Sequence, residues 1–178
     1  VDGWREVMRF EAMNSHLDCL AFSRDGETVA VSGESNDVGL WDVGTGRPVK
    51  QLGRHGSPVP SVAFSPNGKL LATSTFVANE ARLYELPSGK ELAPLKGHVM
   101  GVTAVGFSPD SKTLASVGFD RKVKLWHLAT HQELATFPII ADFPTLNVSA
   151  DGRMIVVGDK TANQRRRQIR HAPRCPEM

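Results

Sequence analysis

Short apolar runs alternate with polar turns along most of the chain. Four runs of six residues share one pattern, in which small and β-branched residues predominate: TVAVSG from Thr28, LLATST from Leu70, TLASVG from Thr113 and MIVVGD from Met154. Each run follows a turn that contains Asp or Asn, and the stretches between the runs lack the 3.6-residue periodicity of an amphipathic helix. Strands of this length bounded by turn residues predict an all-β, antiparallel fold.

The same pattern returns at a nearly constant interval. Phe22, Phe64, Phe107 and Val148 occupy one position of it, at intervals of 42, 43 and 41 residues. The turns that follow are of one type: Asp25-Gly26, Asn67-Gly68, Asp110-Ser111 and Asp151-Gly152. Gly, Asn and Asp tolerate the positive φ that tight hairpin turns require, so Ser111 is the least favourable residue of the set. The chain is therefore an array of one structural unit.

Each full repeat contains four predicted strands. The third strand ends at an aromatic residue, which is Trp41, Tyr84 or Trp126, and an apolar fourth strand follows. The array occupies 1–160 and comprises a last strand at 4–10, full units at 16–53, 54–96 and 97–138, and the first two strands of another unit at 139–160. We expect the basic segment 161–178 to be disordered, since adjacent arginines cannot form a half-buried strand.

The repeat resembles a known family at its two ends. Gly97-His98 stands near the start of one copy and Trp41-Asp42 near the end of another. This is similar to the WD repeat, although Tyr84-Glu85 and Trp126-His127 depart from the Trp-Asp pair. The resemblance implies antiparallel four-stranded blades of a β-propeller. Fifteen predicted strands are too few for a closed ring, so we expect an incomplete propeller, with three full blades between partial ones. With a start that lacks Met, this indicates a fragment.

The resemblance also implies a structural hydrogen-bonding tetrad in the third copy, formed by His98, Ser116, Asp120 and Trp126. The first copy keeps His16 and Trp41 but has Val31 in place of the Ser. The second keeps His55 and Thr73, with Tyr84 for the Trp. Ser, His and Asp are also the residue types of a hydrolase triad. Ser116, however, lies within an apolar strand and lacks a Gly-x-Ser-x-Gly turn, so a structural role is favoured.

Other chemistries receive little support from the sequence. His16, His55 and His98 occur once per copy and so fall in different sheets, and Cys19 and Cys175 form no Cys-x-x-Cys pair. Neither a phosphate-binding Gly-x-x-x-x-Gly-Lys loop nor a dinucleotide-binding Gly-x-Gly-x-x-Gly motif is present. The sequence predicts no cofactor, no metal site and no enzymatic activity.

The charge distribution limits the possible partners. The net charge is +2, but the segment 161–178 holds five arginines and one acid, and the remainder has 16 basic and 18 acidic residues. This balance of charges does not favour nucleic acid as a partner of the array. The arginine-rich segment is open to three interpretations: a solvated tail, a contact with an acidic partner or nucleic acid, and a targeting signal. The chain shows no membrane-spanning stretch or secretory signal, so the default location is the cytoplasm.

Binding to another protein is the remaining interpretation. In the WD family the partner usually lies on the loops before the first strand and between the second and third strands. Here these loops contain Arg54, Phe76, Met100 and Phe119, and large apolar residues in loops are candidate anchors. The alternative is that Phe76 and Phe119 only pack between blades. We expect a non-catalytic protein–protein interaction scaffold, or else an accessory segment of a larger multidomain enzyme or signalling protein. We expect the partners to be other proteins, and the missing blades of a parent chain are one candidate.

Overall fold

The computed structural model describes residues 16–159, which form four antiparallel sheets. The first sheet contains β1 (Leu17–Phe22), β2 (Thr28–Gly33), β3 (Val38–Asp42) and β4 (Pro48–Leu52). The second contains β5 (Val62–Phe64), β6 (Leu70–Ser74), β7 (Glu80–Glu85), β8 (Lys90–Glu91) and β9 (Leu95–Lys96). The third contains β10 (Val102–Phe107), β11 (Thr113–Gly118), β12 (Lys122–His127) and β13 (Gln132–Pro138), and the fourth β14 (Pro144–Val148) and β15 (Ile155–Asp159).

The turn between the first two strands has the same structure in all four sheets. In each turn the residue that directly follows the Asp or Asn has a positive φ, which is 75° at Gly26, 71° at Gly68, 59° at Ser111 and 69° at Gly152. A serine before the turn, such as Ser108, accepts a hydrogen bond from the backbone N–H at the start of the next strand, with Thr113 N to Ser108 Oγ at 2.9 Å. Ser111 therefore adopts the left-handed conformation that glycine adopts elsewhere, and the repeat pattern predicted this exception.

The outermost strand of the second sheet is divided. The sequence pattern predicts one fourth strand through Leu92 and Leu95, but the structure has the two short strands β8 and β9, both paired with β7. Pro94 lies between them and has no N–H to donate to the ladder. The prediction of one continuous strand is wrong for this reason. The strand predicted at 4–10, the tail 161–178 and Cys175 lie outside the described residues.

Successive sheets pack face to face. We call the face that packs on the preceding sheet the front face and the opposite one the back face. The front face of the third sheet, with Phe107 and Trp126, packs on the back face of the second, with Ala72 and Leu83. The second packs on the first in the same way, through a cluster that includes Val62, Leu71, Tyr84, Ala30 and Leu40. Leu146 of the fourth sheet packs against Ala104 and Val117 of the third.

The first strands of the four sheets lie innermost. β1, β5, β10 and β14 together line an open groove of about 440 Å³. This is the arrangement of blades around a propeller axis, and the four sheets formed by residues 16–159 do not close into a ring. The predicted fold, an all-β incomplete propeller of antiparallel four-stranded blades, is confirmed. Among residues 16–159 there is no helix of the length and apolarity that crossing a bilayer requires.

Candidate functional site

Four side chains of the third blade form a continuous hydrogen-bonded chain. Trp126 Nε1 donates to Ser116 Oγ at 2.8 Å. His98 Nε2 lies 2.8 Å from the same oxygen, and His98 Nδ1 lies 2.9 Å from Asp120 Oδ2. The strands fix these positions, because Ser116 on β11 and Trp126 on β12 are near neighbours in register. The structure thus brings together all four residues of the predicted tetrad.

The hydrogen-bonding capacity of each group assigns the direction of this chain. The indole N–H can only donate, so Ser116 Oγ accepts from Trp126 and directs its own proton to His98 Nε2. The imidazole proton then lies on Nδ1 and is donated to the Asp120 carboxylate. This arrangement requires a neutral imidazole. Burial lowers the pKa of His98 below its usual value, although the hydrogen bond to Asp120 opposes the shift.

The tetrad is closed to solvent. Ser116 has 0% relative exposure, and the side chains of His98 and Asp120 have 0% and 2%. A nucleophile must reach a substrate carbonyl beside oxyanion-stabilising donors, and Ser116 Oγ is instead occupied by Trp126 and His98. The arrangement therefore favours a structural role for these groups. It ties the loop before β10 to the loop after β11.

The second blade has a shortened version of this network. His55 Nε2 lies 2.9 Å from Thr73 Oγ1 and 3.0 Å from the Tyr84 hydroxyl. The place of Asp120 is taken by Val77, and His55 Nδ1 has no hydrogen-bond partner among the described residues. Burial, with a contribution from the nearby Arg82 guanidinium, lowers the pKa of His55 to about 4. Burial also raises the pKa of Tyr84 to about 12.

Among residues 16–159, the first blade does not repeat the buried His–Ser–Trp hydrogen bonds of the third. Val31 occupies the place of Ser116 and cannot accept a hydrogen bond from Trp41. His16 is exposed at the edge of the sheet, where its Nδ1 lies 3.6 Å from Glu34 Oε2. The network thus shortens from the third blade to the first.

A row of three aromatic rings crosses the loop face of the array. Phe76 of the second blade stacks on Phe119 of the third, with 5.4 Å between ring centroids and an interplanar angle of 26°. Phe119 in turn forms a T-shaped pair with Phe143, in the loop before β14, with 5.1 Å between ring centroids and an interplanar angle of 87°. Both distances and both geometries are those of favourable aromatic pairs. We call Phe76, Phe119 and Phe143 the aromatic row.

A glycine lets two blades approach closely at this row. A side chain on Gly101 would place its Cβ 2.5 Å from the carbonyl oxygen of Phe76. The neighbouring backbone is bonded across the blades, with Val102 N donating to Thr75 O at 2.9 Å. Within the third blade, Phe119 N donates to Gly101 O at 2.9 Å. These contacts set the spacing of Phe76 and Phe119.

Exposed apolar side chains lie in the loops that carry the row and in the loop before β10. Ile140 and Val77 are 83% and 74% exposed, and Val99, Met100 and Phe143 are also exposed. Of the predicted binding residues, Phe76 and Phe119 are half-buried and in contact, and Met100 is exposed directly before Gly101. Arg54 is exposed in the corresponding loop of the second blade.

Two residues of this face were missed by the sequence reasoning. Phe143 completes the aromatic row, and Asp159 holds the loop that carries it. Asp142 N donates to Asp159 Oδ2 at 3.1 Å, and Phe143 N donates to Asp159 Oδ1 at 3.3 Å. The side chain of Asp142 also pairs with Arg121 on the neighbouring blade. When the fourth copy is aligned with the third, Phe143 falls next to the position of Gly101. Comparing the loops of these two copies would therefore have identified Phe143.

A comparison with protein families decides the classification. The model of the WD domain, G-beta repeat, matches residues 4–42, 46–76 and 89–127, which together make up more than half of the chain. The chain belongs to the WD-repeat family. Proteins with WD repeats generally act as interaction scaffolds and are typically non-catalytic. Within residues 16–159, no cluster of His, Cys, Asp and Glu is suited to hold a metal ion.

Several WD-repeat proteins are similar to this chain. The periodic tryptophan protein 2 homolog of Neurospora crassa is 41% identical over 61 residues, covering 34% of this chain and 7% of that protein. The COMPASS component SWD1 of Saccharomyces cerevisiae is 37% identical over 62 residues, covering 33% and 15%. A WD repeat-containing protein of Synechocystis is 37% identical over 73 residues, covering 39% and 21%. The chain thus spans less than a quarter of the length of these relatives.

A solved structure shares the fold. The crystal structure of the RRP9 WD40 repeats matches with a TM-score of 0.72 and 24% identity. The match covers 76% of this chain and 43% of that chain. At this identity the likeness establishes the WD propeller fold.

Proposed function

We propose that this WD-repeat chain is a non-catalytic scaffold that presents its loop face to a partner protein. The observation that carries the proposal is the aromatic row, which runs across three blades among exposed aliphatic side chains. Aromatic residues in such a setting are frequent anchors of protein–protein interfaces. Contiguous exposed apolar residues on a folded protein commonly mark an interaction site.

The charges of this face suit a protein better than a nucleic acid. Arg121 and Asp142 pair with each other at the row, so the two charges offset one another. Arg54, an exposed cation for which residues 16–159 provide no ion-pair partner, is placed at the edge of the patch in this proposal. A nucleic-acid surface would instead require several cations to neutralise phosphates. We therefore expect a protein segment with apolar side chains, which contacts Phe76, Met100, Phe119 and Phe143.

Packing between blades and partner binding are compatible roles for the row. The buried parts of Phe76 and Phe119 support the contact between blades, whereas Phe143 and Met100, which are 48% and 52% exposed, remain available to a partner. The tetrad supports the same face, because His98 and Asp120 fix the loop that carries Met100. In this proposal the buried polar groups stabilise the fold and the loops bind the partner protein.

The length of the relatives supports one wider setting. The chain covers 7% to 21% of the curated relatives, so an accessory role within a longer protein remains the second candidate. The naming of one relative as a component of COMPASS supports a role in an assembly of proteins. The cytoplasmic location stays a prediction.

Quantitative affinity capture would test the proposal. The exposed residues Met100 and Phe143 are changed to Ser together, because truncating the half-buried rings would also weaken the fold. The control is Leu134→Ser, an exposed apolar residue on β13. We expect the double variant to lose specific partners that the control retains, with equal thermal stability. Identical sets of captured proteins for all three chains would contradict the proposal.

A further inference from the structure

The hairpin turn of the second blade carries an amide where the other three carry a carboxylate. The residue before the positive-φ position is Asn67 in the second blade and Asp in the others, namely Asp25, Asp110 and Asp151. Asn67 Oδ1 accepts hydrogen bonds from Ser65 Oγ at 2.8 Å and from Lys69 N at 3.0 Å. The amide oxygen therefore takes the place of a carboxylate oxygen.

The three carboxylates make the same two contacts, with a shorter bond from the serine. The serine Oγ lies 2.5 Å from the carboxylate oxygen of Asp25 and 2.6 Å from those of Asp110 and Asp151, and a backbone N–H donates to each oxygen at 3.0 Å. The hydrogen bond from the serine, with that from the backbone, lowers the pKa of all three carboxyls from the usual value. Hydrogen bonds to a charged acceptor are shorter and stronger than those to a neutral one. A carboxylate at position 67 would therefore suit the turn at least as well as the amide.

The surroundings of Asn67 suit the loss of its amide group. Its side chain is exposed, and among residues 16–159 no group accepts a hydrogen bond from its amide nitrogen. The next residue is Gly68, where even an added Cβ would meet no atom within 4 Å. Asparagine is one of the thermolabile residues of proteins.

The chemistry of this loss needs only water. Gly68 N gives up its proton and attacks Cγ of Asn67, so that a C–N bond forms, ammonia leaves and a cyclic imide remains. Water then adds to either carbonyl of the imide and opens the ring. The product is aspartate or its isomer isoaspartate, in which the main chain runs through the side-chain carbon.

The folded turn opposes this reaction. The imide nitrogen carries no hydrogen, yet Gly68 N donates to Ser65 O at 2.9 Å in the structure. The same turn is tied to the third blade, because Asn67 N donates to Ser111 Oγ at 3.1 Å. Forming the imide breaks the bond within the turn, and the contact with the third blade restrains the rearrangement. The amide should therefore be lost mainly from chains in which the turn has opened.

The turn also distinguishes the two products. Aspartate keeps the length of the main chain, and its carboxylate meets Ser65 Oγ and Lys69 N as in the other turns. Isoaspartate adds one carbon to the main chain between Ser65 and Leu70, which close the hairpin through the bond from Ser65 N to Leu70 O at 2.9 Å. Because turn length and strand register depend on each other, the added carbon disturbs the hairpin.

We propose that Asn67 is a deamidation site which the folded turn protects, and that aspartate but not isoaspartate re-forms the native turn. The product has one more negative charge, at the end of the strands opposite the aromatic row. Because ammonia is lost, the change is not reversed when the turn closes. The fraction of converted chains therefore records how long this turn has been open.

Deamidation of the purified 178-residue chain in mildly alkaline buffer, either folded or unfolded in urea, would test this. Mass spectrometry of proteolytic peptides measures the amide lost at each Asn. We expect the loss at Asn67 to be about tenfold or more faster in the unfolded chain. Asn36, Asn79 and Asn147 are followed by residues whose side chains hinder ring closure, so they should retain their amides in both states.

Two further measurements address the products. Asn67→Asp should be at least as stable as the parent chain in urea unfolding, whereas Asn147→Asp, which adds the same charge outside the turn, should not stabilise the chain. After the aged chain has been refolded, pulse proteolysis removes the chains that unfold in moderate urea. The surviving chains should contain aspartate at position 67 and be depleted of isoaspartate.

Three results would overturn the proposal. Equal rates of amide loss at Asn67 in folded and unfolded chains would exclude protection by the turn. A loss at Asn67 no faster than at Asn36 or Asn79 in the unfolded chain would exclude a preferred site. A destabilised Asn67→Asp, or isoaspartate undiminished among the surviving chains, would exclude the fit of the product. Partner capture at the loop face does not involve this turn, so the two proposals can fail separately.

Discussion

Removal of one hydroxyl group should show how much the tetrad stabilises the third blade. Ser116→Ala deletes an oxygen that accepts from Trp126 Nε1 and donates to His98 Nε2. Two buried polar atoms would lose their partner, at about 1–3 kcal/mol each. Because relaxation recovers part of this, we expect a loss of about 3 kcal/mol in the free energy of unfolding. Urea unfolding at neutral pH, followed by tryptophan fluorescence, measures it.

The second blade provides the matched comparison. Thr73→Val removes the equivalent hydroxyl but keeps the side-chain shape, and His55 Nε2 retains the Tyr84 hydroxyl at 3.0 Å. We expect this change to cost about 1 kcal/mol. Equal m-values for both variants would show that the same surface is exposed on unfolding. A cost for Ser116→Ala no larger than that for Thr73→Val would refute the reasoning.

Three further predictions concern the contact between the second and third blades, the protonation of His55, and the loop that carries Phe143. Gly101→Ala should destabilise the fold by about 2 kcal/mol, because its Cβ would meet Phe76 O, whereas Gly53→Ala, with no atom within 4 Å, should change stability by less than about 0.5 kcal/mol in the same urea assay. Between pH 6.5 and 4 the unfolded chain binds a proton at His55 and the folded chain does not, so stability should fall by about 2 kcal/mol as the pH is lowered. His55→Gln should flatten that part of the pH profile, and an unchanged slope would contradict the assignment. Asp159→Asn should weaken the hold on Phe143 and lower hydrogen-exchange protection at Asp142 and Phe143, with little change at Val102; uniform protection would argue against this role.

The repeat made much of the fold predictable. The in-phase positions of Phe22, Phe64 and Phe107, together with the turns that follow, establish the strands and their period. The tetrad could also be assigned, since the resemblance gives the residue types and the register of β11 and β12 brings Ser116 near Trp126. The turn at Ser111 keeps its positive φ because the surrounding hairpin determines it more strongly than the residue does.

Other features depend on local exceptions to the repeat and on contacts between repeats, which the shared sequence pattern does not show. The division of the outer strand of the second blade follows from Pro94, a local exception to the repeat. The aromatic row requires the angle between neighbouring blades, which sequence spacing does not encode. Phe143 and Asp159 belong to the fourth copy, where Ile139 and Ile140 stand in the region of the tetrad histidine, so the family pattern gave no signal there.

The aromatic row has a consequence for what a partner can recognise. Each ring comes from a different blade, so the row exists only while the second, third and fourth blades remain packed on one another. A ligand that grips all three rings would favour the assembled array over any state with a joint opened, and by linkage would raise its resistance to unfolding. Binding would then depend on correct packing of the blades. An array in which one blade had separated from its neighbour would lose its ligand before its strands unfolded.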